Sequence, residues 1–286
     1  MQTEQMQTTM QNDTASGLTA RKAIGEEQAR KAMDTLQKYR QGKSALEARV
    51  IASEDWWRMR SWQRIQKGNP EDDKWTSAWL FNVIMGKHAD AIAAYPAPAI
   101  RPREPDDREE AEKLTRILPV ILQNNRFKKE YAKAWWNKLK SGCAVYGVFW
   151  DDRKLHGLGD IDIRSMDVLN LFWEPGVQDI QASEHFFSTE LVPDHRLVRA
   201  YPQLEGKLGR GGAAQVSRYL YDDRVDTSDQ SLVVDWYYHT VTEGRQVLHY
   251  CKFVGETVLY ASENDPQYEK RGWYDHGQYP FVFDVL

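Results

Sequence analysis

Three features of the sequence predict an α+β fold. Up to residue 141, apolar residues recur mostly at helical spacing. From Gly142 onward, short runs rich in Val, Ile, Tyr, Phe and Trp are separated by Gly, Pro, Asn and Asp. The helices come first and the strands after, which is the order of an α+β chain rather than of alternating βαβ units. N-terminal helices followed by a mostly antiparallel β-sheet are therefore expected.

The first segment, "MQTEQMQTTMQNDTASG", is polar and rich in Gln and Thr. It lacks the basic start and apolar middle of a signal peptide, so residues 1–18 read as a disordered arm. The helical region covers residues 19–141. Ile24, Ala32, Leu36, Tyr39, Leu46, Val50, Trp57 and Ile65 stand between Lys, Arg and Glu, and Gly42 is expected to separate two helices. "KGNPEDD", Lys67 to Asp73, reads as a loop that offers N-caps. A helix is expected over about Trp75–Ala94. "YPAPAIRPREP" contains four prolines and has to be an extended connector. Asp106 and Asp107 open a further helix that runs near Ile121 and must bend or break at Pro119. "NNRFKKEYAKAWWNKLK" is again helical.

The β-rich region covers residues 142–286. "GCAVYGVFWDD", "DIDIRS", "SEHFFSTELV" and "SLVVDWYYHTV" read as strands, and "RQVLHYCKFVGETVLYAS" as a hairpin turning at Gly255-Glu256. A short helix is expected near "PDHRLVRAYPQL", and "EGKLGRGGAA" reads as a flexible loop.

Composition narrows the function classes. The 286 residues suffice for one large domain or two small ones. A net charge of −4 argues against coating nucleic acid by bulk positive charge. Cys143 and Cys251 are the only cysteines, with no CxxC, which disfavours a disulfide framework and a cysteine zinc site and fits a reducing, cytoplasmic site of synthesis. No apolar run reaches the roughly 20 residues of a membrane span.

Few residues carry candidate chemistry. Asp160 and Asp162 in "DIDI" share one face of a strand and, with Asp151, Asp152 or Asp167, form a candidate Mg²⁺ set. The simpler reading turns Ile161 and Ile163 to the core and leaves both aspartates in water. "PEDDK", Pro70 to Lys74, sits before a helix rather than on strands, and the histidines show no metal-binding spacing. From Arg126 to Lys140 there are six Lys/Arg and one acidic residue, interleaved with aromatics, a candidate nucleic-acid surface. Phe127, Tyr131, Trp135 and Leu139 recur every four residues, however, which predicts a core-facing stripe backed by a solvated basic face.

The order of segments resembles the N-terminal part of portal proteins of tailed bacteriophages. The resemblance starts at "SAWLFNVIMGKHADAIAAYPAPAIRPRE", passes through "EPDDREEAEKLTRIL" and continues into "FKKEYAKAWWNKLKSGCAVYGVFWD", a helix, a glycine (Gly142) and a strand ending in Trp-Asp. It goes on with a G-x-G-[DE]-I-x-I strand at Gly157, Gly159, Asp160, Ile161 and Ile163, and an aromatic Phe172-Trp173-Glu174-Pro175. Asp179, Ile180 and Ser183, "LVRAYPQL", "SLVVDWYYH" and "YPFVFDVL" complete it, over about Trp75–Leu286. The resemblance implies a non-enzymatic virion protein without cofactor. It implies a ring of about twelve subunits at one capsid vertex. Double-stranded DNA is packaged and ejected through such a ring, with terminase, capsid or scaffolding protein and a head–tail adaptor as partners. The corresponding location is the virion, and the host cytoplasm during assembly. Stem, clip and crown would follow the part present, so the chain is expected to be a wing-like fragment, monomeric or heterogeneous by itself. In this reading Phe172 and Trp173 are buried at a corner, Pro175-Gly176 turns the chain, and Asp160 and Asp162 are exposed. Two other readings are a Mg-dependent nuclease using Asp160 and Asp162, and an adaptor or scaffold module without a DNA role.

Overall fold

A computed structural model describes residues 24–59, 77–208 and 229–286. The expectations for the arm 1–18, the loop Lys67–Asp73 with its "PEDDK", and the loop after Leu208 lie outside the described residues. Among the described residues four helices come first: α1 (Glu26–Trp57), α2 (Trp79–Ala93), α3 (Arg108–Asn124) and α4 (Phe127–Ser141). The strands β1 (Cys143–Asp151), β2 (Asp160–Met166), β3 (Leu171–Trp173) and β4 (His185–Pro193) follow. Helix α5 (Asp194–Ala200) precedes β5 (Gln230–Thr242), β6 (Arg245–Val254), β7 (Thr257–Ala261) and β8 (Phe281–Val285). The fold is α+β, and every strand pairing is antiparallel. The strands divide between two sheets rather than one, ordered β2-β1-β8 and β3-β4-β5-β6-β7. The hairpin between β6 and β7 turns at Gly255-Glu256, as the sequence indicates.

Two helix expectations need correction. Gly42 does not separate two helices, because α1 runs through it for 32 residues. A single glycine costs a helix only about 1 kcal/mol. The buried stripe Ala29, Ala32, Leu36, Tyr39, Lys43 and Val50 continues on both sides of it. Pro119 does not end α3, which extends to Asn124. Pro119 lies on the exposed side of the helix, where water can meet the carbonyl that loses its donor.

The five-stranded sheet is buried on both faces. Phe187, Trp236, Tyr238 and Phe253 form one core with Ala29, Ala32, Leu36 and Tyr39 of α1. Phe186, Tyr237 and Leu248 face the other way and meet Val145 of β1, Phe281 of β8 and Val50 of α1. The alternation follows from the register, in which Phe186 lies opposite Tyr237 and Phe187 opposite Trp236. Phe186 and Phe281 stack at 4.4 Å and join the two sheets. Helix α1 therefore contributes to both cores, its first half on one face of the large sheet and its second half on the other.

Helix α4 clamps α1 to the small sheet. Phe127, Tyr131 and Trp135 form an aromatic ladder with Tyr95 and Tyr146, with centroids 5.2–6.3 Å apart, so the stripe faces inward, though only half-buried. The basic side is divided. Lys128, Lys129 and Lys133 are exposed, whereas Lys138 reaches Asp284 of β8 at 2.6 Å and Lys140 reaches Glu54 of α1 at 3.1 Å. Burial opposes ionisation of Glu54, but the Trp57 side chain, the charge and hydrogen bond of Lys140 and the hydrogen bond of Arg58 outweigh it and hold the carboxyl below its usual range. A depressed carboxylate contributes stability that is complete above its unfolded pKa and is lost as pH falls through the folded value. Urea midpoints should therefore fall from neutral pH towards pH 4 and below, and Glu54→Gln should flatten that fall. An unchanged acid slope in the variant would remove Glu54 from the account.

Candidate functional site

The stretch between the two sheets, from Gly157 to Pro175, holds most of the residues singled out in the sequence. The structure separates them into two groups. Gly159, Asp160 and Ile161 lie at the open end of the small sheet. Gly159 has φ +81, and a Cβ there would lie 2.3 Å from the Trp150 ring, so the indole covers a position only glycine suits. Asp160 is half-buried and accepts from the Ile161 amide at 2.8 Å. Asp162 is half-buried between Lys154 at 2.9 Å and Arg164 at 3.6 Å. The expectation that both aspartates stand in open water is thus corrected: both are half-buried, and Asp162 is flanked by two cations. Asp162 lines a cleft of about 610 Å³ between the sheets, in which Asp235 is likewise engaged by Lys252 at 3.1 Å and by the Tyr250 hydroxyl at 2.6 Å. Among the described residues no cluster of three or more His, Cys, Asp or Glu has metal-holding geometry. Burial pushes the thiols of Cys143 and Cys251 up to about 11 and about 12, away from nucleophilic thiolate chemistry.

Strand β2 is an edge, and helices close it. The Asn125 side chain donates to the Ile161 carbonyl at 2.9 Å and accepts from the Ile163 amide at 3.2 Å, as a neighbouring strand would. Glu130 accepts from the Ser165 amide at 2.8 Å, and Lys154 donates to the Ile161 carbonyl at 2.9 Å. The α3–α4 corner thus occupies an edge that would otherwise invite another strand.

Phe172, Trp173 and Pro175 form the second group, on strand β3 and the turn after it. They are not a plug outside a sheet, since β3 pairs with β4 and is itself the edge of the large sheet. Phe172 is buried. Trp173 is only half-buried, stacked on Phe186 and edge-on to Phe283 at 5.2 Å. Helix α1 crosses this edge at Gly42 and Lys43. A Cβ on Gly42 would lie 2.3 Å from Cγ of Pro175, so the proline ring rests on bare helix backbone. Lys43 is 8% exposed and donates to the carbonyls of Val168 and Leu171 at 2.5 and 2.6 Å, with its ammonium 4.4 Å from the Phe172 ring centre. Gly142 stands apart from both groups as the left-handed residue, φ +82, between α4 and β1.

Sequence reasoning missed Lys43, Asn125 and Glu130. A signal for Lys43 was present: Leu36, Lys43 and Val50 are seven residues apart on one stripe. Asn125 and Glu130 carried none, because their role depends on where β2 lies.

Packed helices over two antiparallel sheets, with the β2 and β3 edges closed by side chains, define the class of fold as α+β. The chain belongs to the P22-like phage portal protein family, whose model, described as phage P22-like portal protein, matches residues 89–278. No curated protein matches the chain.

The junction yields a test. Gly42→Ala gains about 1 kcal/mol of helix propensity but must displace Pro175, so a net loss of about 1–3 kcal/mol is expected in chemical denaturation. In a Pro175→Gly background the same change should become neutral or stabilising. A gain in the unmodified background would show that the contact yields freely. Lys43→Met leaves two carbonyls without their donor and should cost about 1–3 kcal/mol.

Proposed function

We propose that this protein is a portal subunit, a non-enzymatic component of a ring of about twelve copies at one capsid vertex. Double-stranded DNA enters during packaging and leaves during ejection through that ring. A separate terminase supplies ATP hydrolysis, and a head–tail adaptor and capsid or scaffolding protein dock on the ring. Residues 142–286 form its wing-like part, packed with the helical region 19–141. The observation that carries this reading is the family match over residues 89–278. The structure supports it in kind, since Asp162, one of the two carboxylates of the nuclease reading, is tied to Lys154 and Arg164. No helix among the described residues is long and apolar enough to cross a membrane.

Antibody labelling of purified virions, with electron microscopy, tests the location. Label confined to a single vertex is expected; protein absent from virions would sink the reading. Incubation of the chain with DNA and Mg²⁺ tests the enzymatic alternative. No cleavage is expected, and metal-dependent cleavage abolished by Asp162→Asn would replace the portal reading with the nuclease one.

A further inference from the structure

Two helix faces on this chain are uncovered among the described residues. Helix α2 has two formally charged residues, Lys87 and Asp90, both in its second half, and Ile84 is its single fully buried side chain. On its outer side stand Trp79, 78% exposed, and Val83, followed by Gly86 and Lys87. A Cβ added at Gly86 would meet nothing within 4 Å, so the face carries an open notch there. Helix α3 has the opposite polarity. Its charges all lie between Arg108 and Arg116, and Ile117–Asn124 has none. Leu114, Ile117 and Val120 form its outer stripe, each about half exposed, and Glu110 continues it towards the N-terminus. Both helices pack on α4, so each face points away from the body that holds it.

The two faces match when the helices run antiparallel. The charge-free half of one then meets the charge-free half of the other, and the charged halves coincide. At a rise of about 1.5 Å per residue, Val120 falls over Trp79, Ile117 over Val83, and Leu114 into the notch at Gly86. Glu110 then comes within reach of Lys87. Both are exposed, and neither is paired with another described residue. We propose that the α3 face of one copy covers the α2 face of the next copy, as the head-to-tail contact of the helical region. This rests on the portal reading for its partner, a second copy of this chain, and on the two faces for its place. A contact between unlike faces of identical chains repeats and closes into a ring when its rotation allows. Two such helices bury less than the roughly 1,200 Å² of a stable isolated pair. One contact is therefore weak alone and gains its strength on closure.

Cysteine cross-linking of the full chain tests this. Val83→Cys and Ile117→Cys copies, mixed and mildly oxidised, should give covalent dimers and nothing larger. A chain carrying both substitutions should give a ladder of higher species. Val83→Asp in one partner should lower the yield about tenfold or more. Both sites are solvent-facing, so circular dichroism should remain unchanged and a loss is not one of folding. Cross-linking by Val83→Cys copies alone, with none between Val83→Cys and Ile117→Cys, would show a like-face pair and overturn the proposal, as would no cross-link at all. Single-vertex labelling of virions built with Val83→Asp subunits at normal yield would also overturn it, while leaving the portal reading intact.

Discussion

The fold depends on a single crossing, where α1 passes over the edge strand of the large sheet at Gly42 and Lys43. One helix has to supply apolar side chains to both faces of that sheet, and a helix can do so only by passing round an edge. The edge of a sheet is polar, with carbonyls and amides directed outward. The crossing therefore needs a residue that lets the backbone approach and another that satisfies the edge. Gly42 does the first under Pro175, and Lys43 does the second on Val168 and Leu171. The aliphatic stem of a lysine suits this place, since it packs like its apolar neighbours and carries its donors to its tip.

The same solution recurs at the other side of the molecule. Asn125 and Glu130 occupy the outer edge of β2 from the α3–α4 corner. Both edges are thus closed by side chains rather than by further strands, and the geometry of the helices is transmitted directly to the sheets. Lys138 on Asp284 and Lys140 on Glu54 extend the arrangement, tying α4 to β8 and to α1. Of the basic stretch from Arg126 to Lys140, its last two lysines thus act as ties inside the fold, while Arg126, Lys128, Lys129 and Lys133 stay exposed.

Much of this was legible in the sequence. Periodicity located α2, α4 and most strands, because apolar spacing reports directly which side of an element is buried. The crossover motif drew attention through Phe172-Trp173-Glu174-Pro175, and its aromatic part does lie at an edge shared by both cores. What failed had one cause. Gly42 read as a break, Pro119 as a bend or break and Asp162 as a solvated residue because each was judged by its own local preference. Each is decided by surroundings that local preference does not report: Pro175 beside Gly42, the exposed side of α3 for Pro119, and the turn lysine Lys154 for Asp162. The family match begins at residue 89, so α1, with the crossing itself, lies outside the matched stretch and had to be found from packing.

A subunit that closes its own strand edges gains a specific advantage in a ring. Open strand edges pair with little discrimination, because backbone groups look alike in every sequence. Helix faces discriminate by side-chain shape and by the placement of charge along the axis. With β2 and β3 occupied from within, the proposed head-to-tail contact lies on surfaces that carry sequence information, the outer sides of α2 and α3. Strand β8 remains as an outer edge of the small sheet, with Val285 and Leu286 largely exposed. Its inner neighbour Asp284 is already held by Lys138, and a charged, paired residue on so short a strand works against indiscriminate addition of another chain. The helices that cap the sheets, α1, α3 and α4, and those that display the outer faces, α2 and α3, meet at α4, so the edges and the faces are positioned by one set of contacts around it.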